Sequence, residues 1–97
     1  MKTCNSLEEV RVEIDKIDYD LVALIAKRSH YIHQAAKFKN SVDEVKATDR
    51  VEFIKDRVRA RAIELDVSPN MISELFTKMI DEMVEDEIAQ FRDTSGF

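Results

Sequence analysis

The chain has 97 residues, of which 44% are hydrophobic and 36% charged, and it contains one Gly and one Pro. A chain of this length forms a single domain, residues 1–97, and these turn residues are too few for sandwiches, barrels or doubly wound sheets, so the composition predicts an all-α fold. The net charge of -5 opposes nonspecific attraction to nucleic acid or anionic membranes, and no stretch approaches the roughly 18 apolar residues of a membrane span.

The first predicted helix covers residues 6–40. Ser6 and Glu9 have the spacing of a capping box, and no Gly or Pro interrupts the chain before about Asn40. Along this stretch the side chains of one face recur at alternating spacings of three and four, which is the heptad pattern of helices that pack against helices. The seam residues are Leu7, Val10, Ile14, Ile17, Leu21, Leu24, Arg28, Tyr31, Ala35 and Phe38.

Residues 40–47 lose the heptad period and carry turn-forming side chains, so a loop is expected there. Thr48 is predicted to cap a second helix over residues 48–65. Apolar residues recur at helical spacing along its inner face.

The third predicted helix covers residues 68–92. Ser68 followed by Pro69 is an N-cap before a proline at the first helical position. The last five residues, DTSGF, contain a helix breaker, and we expect them to fray.

The length of the first helix predicts an intertwined homodimer. A helix of about 34 residues is roughly 51 Å long, whereas a compact monomer of this size is about 32 Å across. The projecting part would expose its apolar seam unless a second copy of the chain covered it.

Three cations lie on or beside this seam. Arg28 occupies a seam position, and Arg11 and Lys39 each follow an apolar seam residue. Either Arg28 pairs with an acidic side chain and the other two are solvated, or the three form an enclosed anion site. On a continuous helix Arg28 and Lys39 would be about 16.5 Å apart, within joint reach of a small dianion. Arg11 is about 25 Å from Arg28, so it could join only from a second subunit.

Glu87 is a carboxylate on the apolar stripe of the third helix, one turn after Met83. If it is buried there, its pKa is raised and it can donate a hydrogen bond near neutral pH. The alternative is a position at the edge of the stripe, facing water.

Other clusters are weaker. His30 and His33 are three residues apart, but no third metal ligand is evident, so they are expected to be solvated. The arginines Arg57, Arg59 and Arg61 scatter around the helix axis, which argues against a nucleic-acid patch. The single cysteine cannot form a disulfide or a thiolate cluster within one chain. We therefore expect no metal, cofactor or nucleic acid, and, with no apolar leader at the N-terminus, a cytoplasmic protein.

The sequence resembles the all-helical (type II) chorismate mutase family over nearly the whole chain. The resemblance rests on the segments LEEVRVEIDKIDYDLVALIAKR, AAKFK, TDRVEF and ISELFTKMIDEM. It implies two sites per intertwined dimer, each holding a small enolpyruvyl-ether dicarboxylate. The residues that match the family's substrate-binding positions are Arg11 (from the other subunit), Arg28, Lys39, Arg50, Val51, Met83 and Glu87, and Lys39 and Glu87 match its catalytic positions.

Within the family the chain is similar to isochorismate-pyruvate lyases of salicylate synthesis, through FKNS, DRV and the FRDTSG tail. Val51 stands where dedicated mutases place a glutamate for the ring hydroxyl, and Glu87 stands where bacterial members usually carry glutamine. The resemblance implies cleavage of isochorismate to salicylate and pyruvate, with some chorismate mutase activity and no cofactor. A dedicated chorismate mutase and a noncatalytic helical dimer are the alternatives.

Overall fold

The computed structural model describes the backbone of residues 1–95 and the side chains of residues 1–93, and it contains three long helices and a short one. In chain order these helices are α1 (Leu7–Ala36), α2 (Val42–Lys46), α3 (Thr48–Glu64) and α4 (Pro69–Ser95). No β-strand occurs among residues 1–95. The all-α prediction is confirmed, with the three predicted helices corresponding to α1, α3 and α4.

The chain divides into two compact units. The first unit, Met1–Tyr31, consists of the N-terminal segment and most of α1. None of its residues is buried, and apolar side chains all along the helix are open to solvent, including Leu7, Ile17 and Leu24, which are each about 60% exposed. The unit therefore has an apolar helix surface but no core of its own.

The second unit begins at Ile32, and it contains the residues that are buried within the described part of the chain. Within it α3 packs against α4, and α2 also contacts α4. The buried positions of α4 recur every three or four residues, which confirms the predicted stripe of the third helix. Among residues 32–93 of this unit, the buried ones are Ala36, Val45, Ala62, Ile80, Met83, Glu87 and Phe91.

The first helix ends at Ala36, four residues before the predicted boundary at Asn40. The amides of Lys37, Phe38 and Lys39 each donate to the carbonyl three residues earlier, at 3.0–3.2 Å. This tighter bonding closes the last turn and releases the chain from the α-helical path. Lys39 therefore lies beyond the helix, and the expectation that one continuous helix carries both Arg28 and Lys39 is wrong.

The expected loop at residues 40–47 contains the one-turn helix α2. Ala47, in the left-handed conformation with φ 41°, is both the C-cap of α2 and the N-cap of α3. The prediction that Thr48 caps the next helix is therefore wrong. Thr48 is the first helical residue, and α3 begins without a side-chain cap.

The connection between α3 and α4 is stabilised by a different hydrogen-bond pattern. Asp66 has φ 63°, its amide donates to the Ile63 carbonyl, and the Val67 amide donates to the Ala62 carbonyl, which is the pattern of a Schellman motif. Ser68 then accepts a hydrogen bond from the Met71 amide at 3.2 Å, so the predicted cap of the third helix is confirmed.

That helix continues beyond the predicted end at Arg92, through Ser95. The rest of the tail that was expected to fray, residues 96–97, lies outside the described residues. None of the helices in the described part combines the length and the apolar character needed to cross a membrane.

Candidate active site

A buried carboxyl group and a lysine ammonium group face each other in the second unit. Glu87 lies on α4 and Lys39 in the segment between α1 and α2. The Lys39 Nζ atom is 4.0 Å from Glu87 Oε2, and the side chains are 24% and 5% exposed, respectively. The structure thus brings together the two residues that the sequence analysis placed at catalytic positions.

Glu87 is the buried charged residue of the α4 stripe, so the buried alternative is confirmed. Its Oε2 atom has no hydrogen-bond partner among the described residues. Burial raises the pKa of the Glu87 carboxyl, and the nearby charges of Lys39 and His33 partly oppose that shift. The protonated acid is therefore favoured to higher pH than in an exposed glutamate, and in that form it can donate a hydrogen bond.

His33 was expected to be solvated, but it is half-buried in the last turn of α1 and acts electrostatically on Glu87. Its heptad position pointed away from the seam. Since Glu87 belongs to a different helix, no spacing within the first helix could have connected the two residues.

The Lys39 ammonium group is also held by a backbone carbonyl group. Its Nζ atom donates a hydrogen bond to the Glu44 carbonyl oxygen at 3.0 Å. Glu44 is in α2, where the Ser41 hydroxyl accepts from the Glu44 amide at 3.1 Å. Because Val45 of the same helix is only 2% exposed and α2 contacts α4, the segment is anchored to the helix that carries Glu87.

An open cleft of about 500 Å³ lies beside Lys39. Arg50 also lines it, so two of the predicted substrate-binding cations border the same space. The Arg50 guanidinium lies 5.2 Å from the centre of the Phe53 ring, a cation–π contact on the exposed side of α3. The cleft lining consists of Lys39, Glu44, Ala47, Thr48, Asp49 and Arg50.

Val51 and Met83 occupy other positions. Val51 is half-buried and lines a separate cleft between α3 and α4, alongside the carboxylates of Asp81, Glu82 and Glu85. Met83 is 7% exposed and belongs to the core. The structure therefore does not place Val51 in the cleft with Lys39 and Arg50.

The remaining two cations lie in the first unit. Arg11 is exposed and Arg28 is half-buried, and both are on α1. Their separation of 17 positions in the sequence corresponds to about 25 Å along the helix. One small ligand cannot bridge that span, so these two side chains of the same chain cannot bind it together.

Comparison with known proteins identifies the group to which this architecture belongs. The family model described as chorismate mutase type II matches residues 10–88. The chain therefore belongs to the type II chorismate mutase family, and it is an enzyme. A relative, the isochorismate pyruvate lyase of Pseudomonas aeruginosa, is 30% identical over 99 residues, covering 99% of this chain and 98% of the relative.

Proposed function

We propose that the protein converts isochorismate to salicylate and pyruvate and also rearranges chorismate to prephenate, more slowly. The observation that carries this proposal is the Lys39–Glu87 pair, which places an ammonium group and a raised-pKa carboxyl within 4.0 Å of each other in a partly dehydrated site. The name of the relative favours isochorismate over chorismate.

Both reactions are pericyclic and unimolecular, so the protein must supply shape and charge rather than a nucleophile. In the lyase reaction a hydrogen moves from the ring to the enolpyruvyl methylene carbon while the ether oxygen–ring bond breaks. Negative charge builds on that oxygen as the bond lengthens. Lys39 and protonated Glu87 are two donors suited to stabilise it, and preorganised donors of this kind are worth most where water is excluded.

Two cations of α1 are proposed to hold the substrate's two carboxylates. Arg28 binds one, and Arg11 of a second subunit binds the other, since the two arginines of one chain are about 25 Å apart. Fixing both carboxylates folds the enolpyruvyl chain over the ring and removes most of the entropy cost of reaching the reactive conformation. Arg50 and Met83 are proposed to complete the binding site.

The exposed seam of α1 supports the homodimer. The helix has 30 residues and is therefore about 45 Å long, more than the roughly 32 Å width of a compact monomer of this size. Its heptad seam can pair with a second copy of itself. The exposed apolar side chains along it include Leu7, Ile14, Ile17, Leu21 and Leu24.

We expect light scattering to give the mass of a dimer at micromolar concentration, because a monomer would leave a long apolar stripe exposed to water. A monodisperse monomer that still turns over substrate would contradict the shared site.

The substrate is tested by incubating the purified protein separately with isochorismate and chorismate and identifying the products by chromatography. Salicylate and pyruvate in equal amounts from isochorismate, formed faster than prephenate from chorismate, are the expected result. Prephenate alone would identify a dedicated chorismate mutase. No turnover of either compound would favour the noncatalytic dimer.

A further inference from the structure

The segment that carries Lys39 is short and has little stability of its own. It runs over residues 37–47, and its only helix, α2, has five residues. A single helical turn does not persist in water without additional contacts. The position of the Lys39 ammonium group therefore depends on what holds this segment.

Glu44 accepts two hydrogen bonds near Lys39, one from the backbone next to it and one from its ammonium group. Its carboxylate Oε2 accepts a hydrogen bond from the amide of Asn40, the residue directly after Lys39, at 2.6 Å. Its own carbonyl oxygen accepts from Lys39 Nζ at 3.0 Å. The Glu44 side chain thus fixes the backbone next to Lys39. The Glu44 main-chain carbonyl holds the ammonium group at the far end of the lysine side chain.

Ser41 and Val45 complete the arrangement. The Ser41 hydroxyl accepts from the Glu44 amide at 3.1 Å, which makes Ser41 and Glu44 a variant of the capping box. Val45 is buried, and α2 contacts α4, the helix of Glu87. Together these contacts place Lys39 Nζ 4.0 Å from Glu87 Oε2.

We propose that Glu44, with Ser41, is a positioning residue, whose side chain holds the 37–47 segment so that the Lys39 ammonium group stays beside Glu87. This inference rests on the proposed function insofar as it assigns Lys39 to the reaction. Glu44 acts through Lys39 and takes no part in bond making or breaking.

The chain contains a matched control. At the start of α1 the Ser6 hydroxyl accepts from the Glu9 amide at 3.1 Å, and Glu9 Oε2 accepts from the Asn5 amide at 2.8 Å. This is the same hydrogen-bond pattern, in the sequence Asn-Ser-x-x-Glu, but it carries no lysine into the site. Glu9→Ala therefore reproduces the loss of a cap without disturbing Lys39.

The kinetic test compares Glu44→Ala, Glu44→Gln and Glu9→Ala on whichever substrate is turned over. Since small misplacements of catalytic groups are costly, Glu44→Ala is expected to lower kcat by about 10- to 100-fold with a smaller change in KM. Glutamine accepts the same hydrogen bond, so Glu44→Gln should stay within about twofold of the wild type. Glu9→Ala should leave kcat close to that of the wild type. If the kcat of Glu44→Ala is equally close to the wild-type value, the positioning role is overturned.

A second measurement does not depend on turnover. The protein is labelled with trace acetic anhydride, and mass spectrometry compares acetylation of Lys39 with that of the exposed Lys37. Glu44→Ala and Ser41→Ala should raise the relative labelling of Lys39 several-fold, whereas Glu44→Gln, Ser41→Asp and Glu9→Ala should not. Unchanged labelling in both alanine variants would overturn the proposal.

The two measurements separate this inference from the proposed function. If the wild-type protein turns over neither substrate, the proposed function is overturned. The labelling result would still show whether Glu44 holds Lys39 in place. An active wild type with unaltered labelling and rates in Glu44→Ala would remove only the role of Glu44.

Discussion

Replacing Lys39 with alanine is expected to lower kcat by about a hundredfold to a thousandfold, the effect typical of losing one preorganised donor to developing negative charge. The Lys39 ammonium group lies 4.0 Å from the buried Glu87 carboxyl, so its removal takes away a donor that the site holds in place. Steady-state kinetics on both isochorismate and chorismate would measure the loss. Turnover at the wild-type rate would show that Lys39 has no part in the reaction.

The matched control for this variant is Lys37→Ala. Lys37 precedes Lys39 by two residues and is exposed. Its removal changes the net charge equally but should leave kcat unchanged. Thermal unfolding of both variants would show whether the loss in Lys39→Ala is chemical, because a change confined to the site should leave the unfolding temperature close to that of the wild type.

The activity is expected to depend on pH through the titration of Glu87, and Glu87→Gln is expected to abolish that dependence. Burial raises the pKa of this carboxyl, so the population able to donate a hydrogen bond grows as the pH falls toward that raised pKa. Above it, the carboxylate cannot donate and also pairs with Lys39, so both effects lower the rate. The kcat/KM of the wild type should therefore rise from neutral toward mildly acidic pH.

Glutamine donates over this whole range. Glu87→Gln should flatten the pH profile and retain or improve turnover at neutral pH, whereas Glu87→Ala should be slow throughout. Full pH profiles of kcat/KM for the three proteins make the comparison. If the wild type and the glutamine variant share the same slope on the acid side, Glu87 is not the titrating donor and its buried position is structural.

The burial of Glu87 could be anticipated because helical periodicity places it on the same stripe as Ile80, Met83 and Phe91. Periodicity could not decide whether that position lay in the core or at its edge, since this depends on which helices cover the stripe. The pairing of Glu87 with Lys39 and its proximity to His33 depend on contacts between separate elements, and no local pattern contains them.

The end of the first helix differs from the prediction because the sequence carries no stop signal at that point. Phe38 continues the heptad register, and neither Gly nor Pro marks a stop, yet α1 ends at Ala36. A signal for α2 was nevertheless present. Ser41 and Glu44 repeat the capping-box spacing of Ser6 and Glu9, the same spacing that predicts the start of α1.

We propose that each site combines Lys39 and Glu87 of one chain with Arg11 of another, and subunit mixing tests this arrangement most directly. Arg11→Ala and Lys39→Ala are each expected to be nearly inactive, and they would be unfolded together and refolded as an equal mixture. Half of the dimers then contain one chain of each kind, and one of their two sites has both residues intact, so about a quarter of the wild-type activity should return. A mixture that stays as inactive as its two parents would contradict the shared site.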